Sequence, residues 1–88
     1  MVAWKLYFTK YALKDAKKFE QSGLKANAEK ILDILRENPY QTPPNFEKLV
    51  GDLKGAFSRR INLQYRIIYQ IIDDKKVVKI IRMWAHYD

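Results

Sequence analysis

The chain has 88 residues, 48% of them hydrophobic, and carries 17 basic against 10 acidic side chains for a net charge of +7. This is the length of one domain with enough apolar material for a modest core. There is no cysteine and one histidine, which excludes disulfides, thiolate chemistry and cysteine-ligated zinc and leaves no expectation of a metal site or cofactor. No run approaches the ~20 apolar residues of a membrane span, and residues 1–5 have no signal-peptide core, so a cytoplasmic protein without membrane contact is expected.

Lys5 to Thr9 reads as a short alternating, aromatic-rich strand, and Thr9 is placed to N-cap a helix. In that helix Leu13, Ala16 and Phe19 recur at three-residue spacing, and Ser22-Gly23 supplies a stop. A second helix is expected from Leu24 to Glu37, with Leu24, Ala28, Ile31, Leu32 and Leu35 as its apolar stripe and Asn38-Pro39 as its end. The tight connection predicts a helical hairpin. Residues 39–55 hold all three prolines and two of the three glycines. They read as a loop or short-strand region, with a single turn at Glu47-Lys48-Leu49-Val50. Three strand-like runs follow: Ala56–Asn62, Gln64–Asp73 and Val77–Trp84, the last two joined by the turn signal Asp73-Asp74-Lys75-Lys76. The order β-α-α-β-β-β predicts an α+β domain, its helical hairpin packed on one face of a mainly antiparallel four-stranded sheet.

The charge is uneven. Residues 1–53 hold nine basic and seven acidic residues, whereas residues 54–88 hold eight and three. A basic C-terminal half fits a polyanion, most often nucleic acid. Arg59 and Arg60 alternate across a strand, so at least one faces solvent. With Arg66 they could grip phosphate bidentately. Glu47 lies in the Pro/Gly-rich region beside Lys48 and Lys54. His86, in the ending Arg82-Met83-Trp84-Ala85-His86-Tyr87-Asp88, is the one side chain that ordinarily exchanges a proton near neutrality. Glu47, Arg66 and His86 together supply a base, an electrostatic stabiliser and an acid. That set suits metal-free attack of a ribose 2′-hydroxyl on the adjacent phosphate.

Three segments carry a resemblance. The stretch Phe46-Glu47-Lys48-Leu49-Val50-Gly51-Asp52-Leu53-Lys54-Gly55-Ala56-Phe57-Ser58-Arg59-Arg60-Ile61-Asn62, the element Tyr65-Arg66-Ile67-Ile68-Tyr69 and the terminal His86-Tyr87 resemble, in order, motifs of the Txe/YoeB toxins of the RelE superfamily. The resemblance implies one RelE-like domain over 1–88 and a ribosome-dependent endoribonuclease that cuts messenger RNA in the ribosomal A site. It also implies a cognate antitoxin as partner, and leaves a homodimer open. Carried over residue by residue, Glu47 becomes the general base, Arg66 the phosphate stabiliser and His86 the general acid. Tyr87 becomes the residue that positions RNA, while Arg59 and Arg60, with Lys48 and Lys54, bind RNA backbone. This chain departs from the family pattern at Phe57 (often tryptophan), Tyr65 (often histidine), Val50 (often lysine) and the extra Asp88. Two rivals fit the same residues: a ParE-like toxin of the same fold that poisons DNA gyrase, and a non-catalytic basic RNA-binding module.

Overall fold

A strand, two helices and four further strands follow one another along the chain, and the computed structural model describes residues 3–51 and 55–86, with side chains to residue 83. The elements are β1 (Lys5–Phe8), α1 (Lys10–Ser22), α2 (Lys25–Glu37), β2 (Glu47–Lys48), β3 (Phe57–Arg60), β4 (Tyr65–Ile72) and β5 (Val77–His86). A short 3₁₀ turn at Asp73–Lys75 joins β4 to β5.

The strands form one sheet in the order β1-β5-β4-β3-β2. β1 runs parallel to β5, and every other neighbouring pair is antiparallel. The α+β class, the hairpin and the mainly antiparallel sheet are as the sequence predicts. The strand count is five where four were expected. The extra strand is the pair Glu47–Lys48, opposite Ser58 and Phe57, which falls in the region read as a loop or short strand and at the place where a turn was expected. Leu49 N–H donating to Ala56 C=O at 2.9 Å continues that pairing.

Local chemistry sets the helix ends. Thr9 Oγ1 accepts from Ala12 N–H at 3.1 Å and caps α1. Gly23 closes the helix in the left-handed region at φ +77°. Asn38 N–H donates to Ile34 C=O at 2.8 Å at the end of α2, and Pro39 follows. Ala28, Ile31, Leu32 and Leu35 are buried on α2 as its stripe predicts. On α1 the stripe is turned: Ala12, Asp15 and Phe19 are buried, whereas Leu13 is 55% exposed. Of the expected Leu13-Ala16-Phe19 line, Phe19 is buried and Ala16 packs against the core as predicted, whereas Leu13 gives its place to Ala12 and Asp15, the latter drawn inward to β5 as described below.

The core lies between the hairpin and one face of the sheet, with Phe19, Ile31, Leu32 and Leu35 meeting Ile67, Tyr69, Val78, Ile80 and Met83. Side chains alternate along each strand. The other face, away from the helices, therefore takes Ser58 and Arg60 on β3, Arg66 and Ile68 on β4, and Lys79 on β5. Among the described residues, no helix is long and apolar enough to cross a membrane.

A Cβ added at Gly23 would meet nothing within 4 Å, so Gly23→Ala carries only the backbone cost of a left-handed alanine. Urea unfolding is expected to show a loss of about 1 kcal/mol with an unchanged m-value.

Candidate active site on the helix-free face of the sheet

Strand register assembles the site. Glu47 lies opposite Ser58, Ser58 opposite Ile68, and Arg60 opposite Arg66, which in turn lies opposite Ala85. Paired residues in a sheet point to the same side, so Glu47, Ser58, Arg60 and Arg66 share the helix-free face. By ordinary strand spacings the Cα atoms of Glu47 and Arg66 lie roughly 12 Å apart, a gap that a glutamate and an arginine side chain can close around a phosphodiester. Pro44, Asn45, Glu47, Ser58 and Arg60 line a hollow of about 370 Å³ there. Glu47 and Arg60 are exposed, Arg66 is half-buried and Ser58 is buried. The backbone of β5 brings His86 opposite Tyr65, one position from Arg66.

Of the residues singled out in the sequence, Glu47, Arg60 and Arg66 are brought together and His86 is delivered beside them at the backbone level. Lys48 is exposed and takes the opposite face from Glu47. Lys54, Tyr87 and the side chain of His86 lie outside the described residues.

Arg59 is not a surface residue. It is 1% exposed and points into the protein. Its Nε donates to Tyr69 Oη at 2.9 Å, Nη1 to Pro44 C=O at 2.6 Å, and Nη2 to Pro39 and Gln41 C=O at 2.9 and 2.8 Å. Its guanidinium also sits 4.9 Å from the centre of the Phe46 ring, a cation–π contact. The expectation that Arg59 binds RNA backbone is therefore corrected. A guanidinium enclosed this way is spent on protein carbonyls and cannot reach a phosphate. Of the two adjacent arginines, only Arg60 is exposed.

Arg59 fixes the segment that leads into β2. Phe46, next to Glu47, meets the Phe57 ring edge-on at 5.5 Å, and Phe57 stacks on Tyr69 at 5.9 Å. Burial pushes the Tyr69 phenol above its ordinary pKa, while Arg59 pulls it the other way. The same segment is tied down at its start. Tyr40 Oη donates to the Asp73 carboxylate at 2.6 Å, and its ring meets Trp4 edge-on at 6.3 Å. The Asp73 hydrogen bond, with lesser help from burial, pushes the Tyr40 phenol up to about 12.

Sequence reasoning missed Asp15. This carboxylate on α1 is 2% exposed. It accepts from Arg82 Nε at 2.8 Å, Arg82 Nη2 at 3.2 Å and Met83 N–H at 3.1 Å. The available signal was an acid at the position between Ala12 and Phe19 on an otherwise apolar stripe. The Asp15 hydrogen bonds hold Arg82 in its charged form even more firmly than usual.

Residues 8–87 match the family model described as the YoeB-like toxin of bacterial type II toxin-antitoxin system. The chain belongs to the YoeB-like toxin family. It is 42% identical over 48 residues to the toxin YoeB of Streptomyces coelicolor, a match covering 54% of this chain and 56% of that protein. The chain spans about half the length of the curated relatives it matches. Among solved structures, it resembles the YoeB–YefM complex from Staphylococcus aureus at 30% identity, covering 96% of this chain and 98% of the other with a TM-score of 0.77. The YoeB dimer from the same organism gives 29% identity, 98% and 100% coverage and a TM-score of 0.80. This YoeB-like chain thus shares the helical hairpin and mixed sheet of its relatives over nearly its whole length.

Two measurements check the anchors. Arg59→Lys offers one ammonium to acceptors that Arg59 meets with four hydrogen bonds, so a stability loss of about 2–4 kcal/mol is expected in chemical denaturation. Tyr40 should ionise late, near pH 12, and that late phase should vanish from the ultraviolet titration of Tyr40→Phe. The folded pKa lies above the unfolded value of about 10. The stabilisation from this bond is therefore complete below pH 10 and is lost as the pH rises towards about 12.

Proposed function

We propose that this chain is the toxin of a type II toxin–antitoxin module and acts as a metal-independent endoribonuclease on ribosome-bound messenger RNA. The reading is supported above all by the shared face of Glu47, Arg60 and Arg66 at the end of the sheet where β5 carries the backbone of His86. Glu47 removes the proton of a ribose 2′-hydroxyl. The 2′ oxygen attacks the adjacent phosphorus. Arg66 stabilises the charge on the pentavalent phosphate, and Arg60 holds a neighbouring phosphate. His86 gives its proton to the departing 5′ oxygen as the P–O5′ bond breaks, and Tyr87 orients the RNA. The products are a 2′,3′-cyclic phosphate and a 5′-hydroxyl. The net charge of +7 favours approach to the ribosomal A site, where RNA dominates the surface.

The partners follow from the relatives. Because YoeB of S. aureus is solved with YefM and also as a dimer, a cognate antitoxin and a homodimer are proposed here, with the cytoplasm as the place of action.

The test is toeprinting of translated messenger RNA with wild type, Glu47→Gln and His86→Ala. Loss of an acid or base is expected to lower cleavage by ~10²–10⁴-fold. Equal cleavage by His86→Ala would overturn its role as acid. Inhibition of gyrase supercoiling without RNA cleavage would replace the reading with a ParE-like one. Salt-dependent RNA binding with no cleavage, unchanged in both variants, would reduce the protein to a binding module.

A further inference from the structure

The register of β5 against β4 is broken twice, and helix α1 holds both breaks. From Ile72 to Tyr69 the pairing is regular, each step on β4 matching one on β5. Continued unchanged, it would bring Trp84 opposite Tyr65 and carry His86 past the start of β4. Instead Ile68 lies opposite Arg82, Arg66 opposite Ala85 and Tyr65 opposite His86. β5 therefore takes up two extra residues, one at Ile81 and one in Met83–Trp84, as two bulges do. Together they draw His86 back by two residues, about 7 Å along the strand, to the level of Tyr65, one position from Arg66.

A clamp from α1 meets each bulge. β1 ends at Phe8, opposite Ile80, so it does not pair with the C-terminal half of β5. There α1 supplies side chains in place of a strand. Thr9 Oγ1 donates to Ile81 C=O at 2.7 Å, at the first bulge. Asp15 accepts from Met83 N–H at 3.1 Å, at the second, and grips Arg82 between them. The Arg82 guanidinium also lies 6.0 Å from the Tyr11 ring centre on the same helix. A nearly fully buried carboxylate that meets one backbone N–H and one arginine 67 or 68 residues away, besides Lys18 at 3.9 Å on its own helix, is an expensive fastening for a helix that already packs on β5.

We infer that Asp15, seconded by Thr9, is a positioning residue that holds β5 in its doubly bulged register and so sets the backbone of His86 opposite Tyr65, next to that of Arg66. The inference rests on the reading of His86 as the general acid, but the register can be measured without any RNA.

The experiment uses isotope-labelled full chain and follows backbone cross-strand NOEs by NMR, alongside ribosome-dependent cleavage kinetics. Wild type should show the Tyr65–His86 pairing. In Asp15→Ala and Thr9→Val that pairing should weaken or shift towards Tyr65–Trp84, with the β4–β5 contacts from Tyr69 to Ile72 retained. Cleavage by Asp15→Ala should fall about 10²-fold in kcat with little change in KM, as for a misplaced catalytic group. Asp15→Asn, which keeps an acceptor for Met83 N–H, should recover much of both signals. If Asp15→Ala fails to fold, Thr9→Val decides. An intact Tyr65–His86 pairing in folded Asp15→Ala, or in Thr9→Val where Asp15→Ala does not fold, would overturn the inference, whether or not the wild type cleaves RNA. A wild type with the expected register but no cleavage would instead overturn the functional reading and leave the positioning result standing.

Discussion

A buried guanidinium holds the candidate site together. Arg59 leaves β3, crosses the interior face of the sheet and ends among the carbonyls of Pro39, Gln41 and Pro44. Segment 39–46 has little regular structure of its own, and the carbonyls it turns inward must find partners. One planar cation with several directed donors meets three of those carbonyls at once. An ammonium, a compact point charge, has no comparable fork. The position of Glu47 depends on this, because Phe46 is wedged between Arg59 and Phe57 immediately before it. Burying a guanidinium is costly. Here four hydrogen bonds and an aromatic face offset that cost, and the Tyr69 hydroxyl gains a donor in a place where burial alone would leave it unsatisfied.

The other end of the site uses a buried charge of opposite sign. Arg59 gathers carbonyls, while Asp15 gathers a backbone N–H and an arginine. Both join parts of the chain far apart in sequence, and both act where regular strand pairing stops. A small domain has little core with which to fix irregular backbone. Charge-assisted hydrogen bonds supply direction as well as energy at those points. The exposed arginine, Arg60, is then left for the helix-free face, on the same side as Glu47 and Arg66.

This division explains what was legible in the chain. The helices and long strands were readable because periodicity and stop signals are local. α2 buries Ala28, Ile31, Leu32 and Leu35 as the spacing predicts. β2 was not readable, because a two-residue strand has no pattern of its own and exists only by pairing with β3. The place of Leu13 on α1 was missed for a related reason. Counting apolar residues adds Leu13 to Ala16 and Phe19, but the carboxylate of Asp15 has a fixed destination on β5, and Ala12 and Asp15 take the buried places on that side.

The sequence by itself determined the α+β class, the order of elements, and the residue types from which a ribose–phosphate site can be built. Alternation along β3 also required Arg59 and Arg60 to face opposite ways. Only the tertiary structure decided which of the two is spent inside, because that depends on carbonyls and a phenol contributed by residues 39–44 and Tyr69. It likewise decided how far along β4 the backbone of His86 comes to rest. A register is a relation between two strands, and here it is fixed by side chains from a third element, Thr9 and Asp15 at the start and middle of α1. Local propensities cannot encode such a relation, whereas hydrogen bonds spanning some 70 residues do.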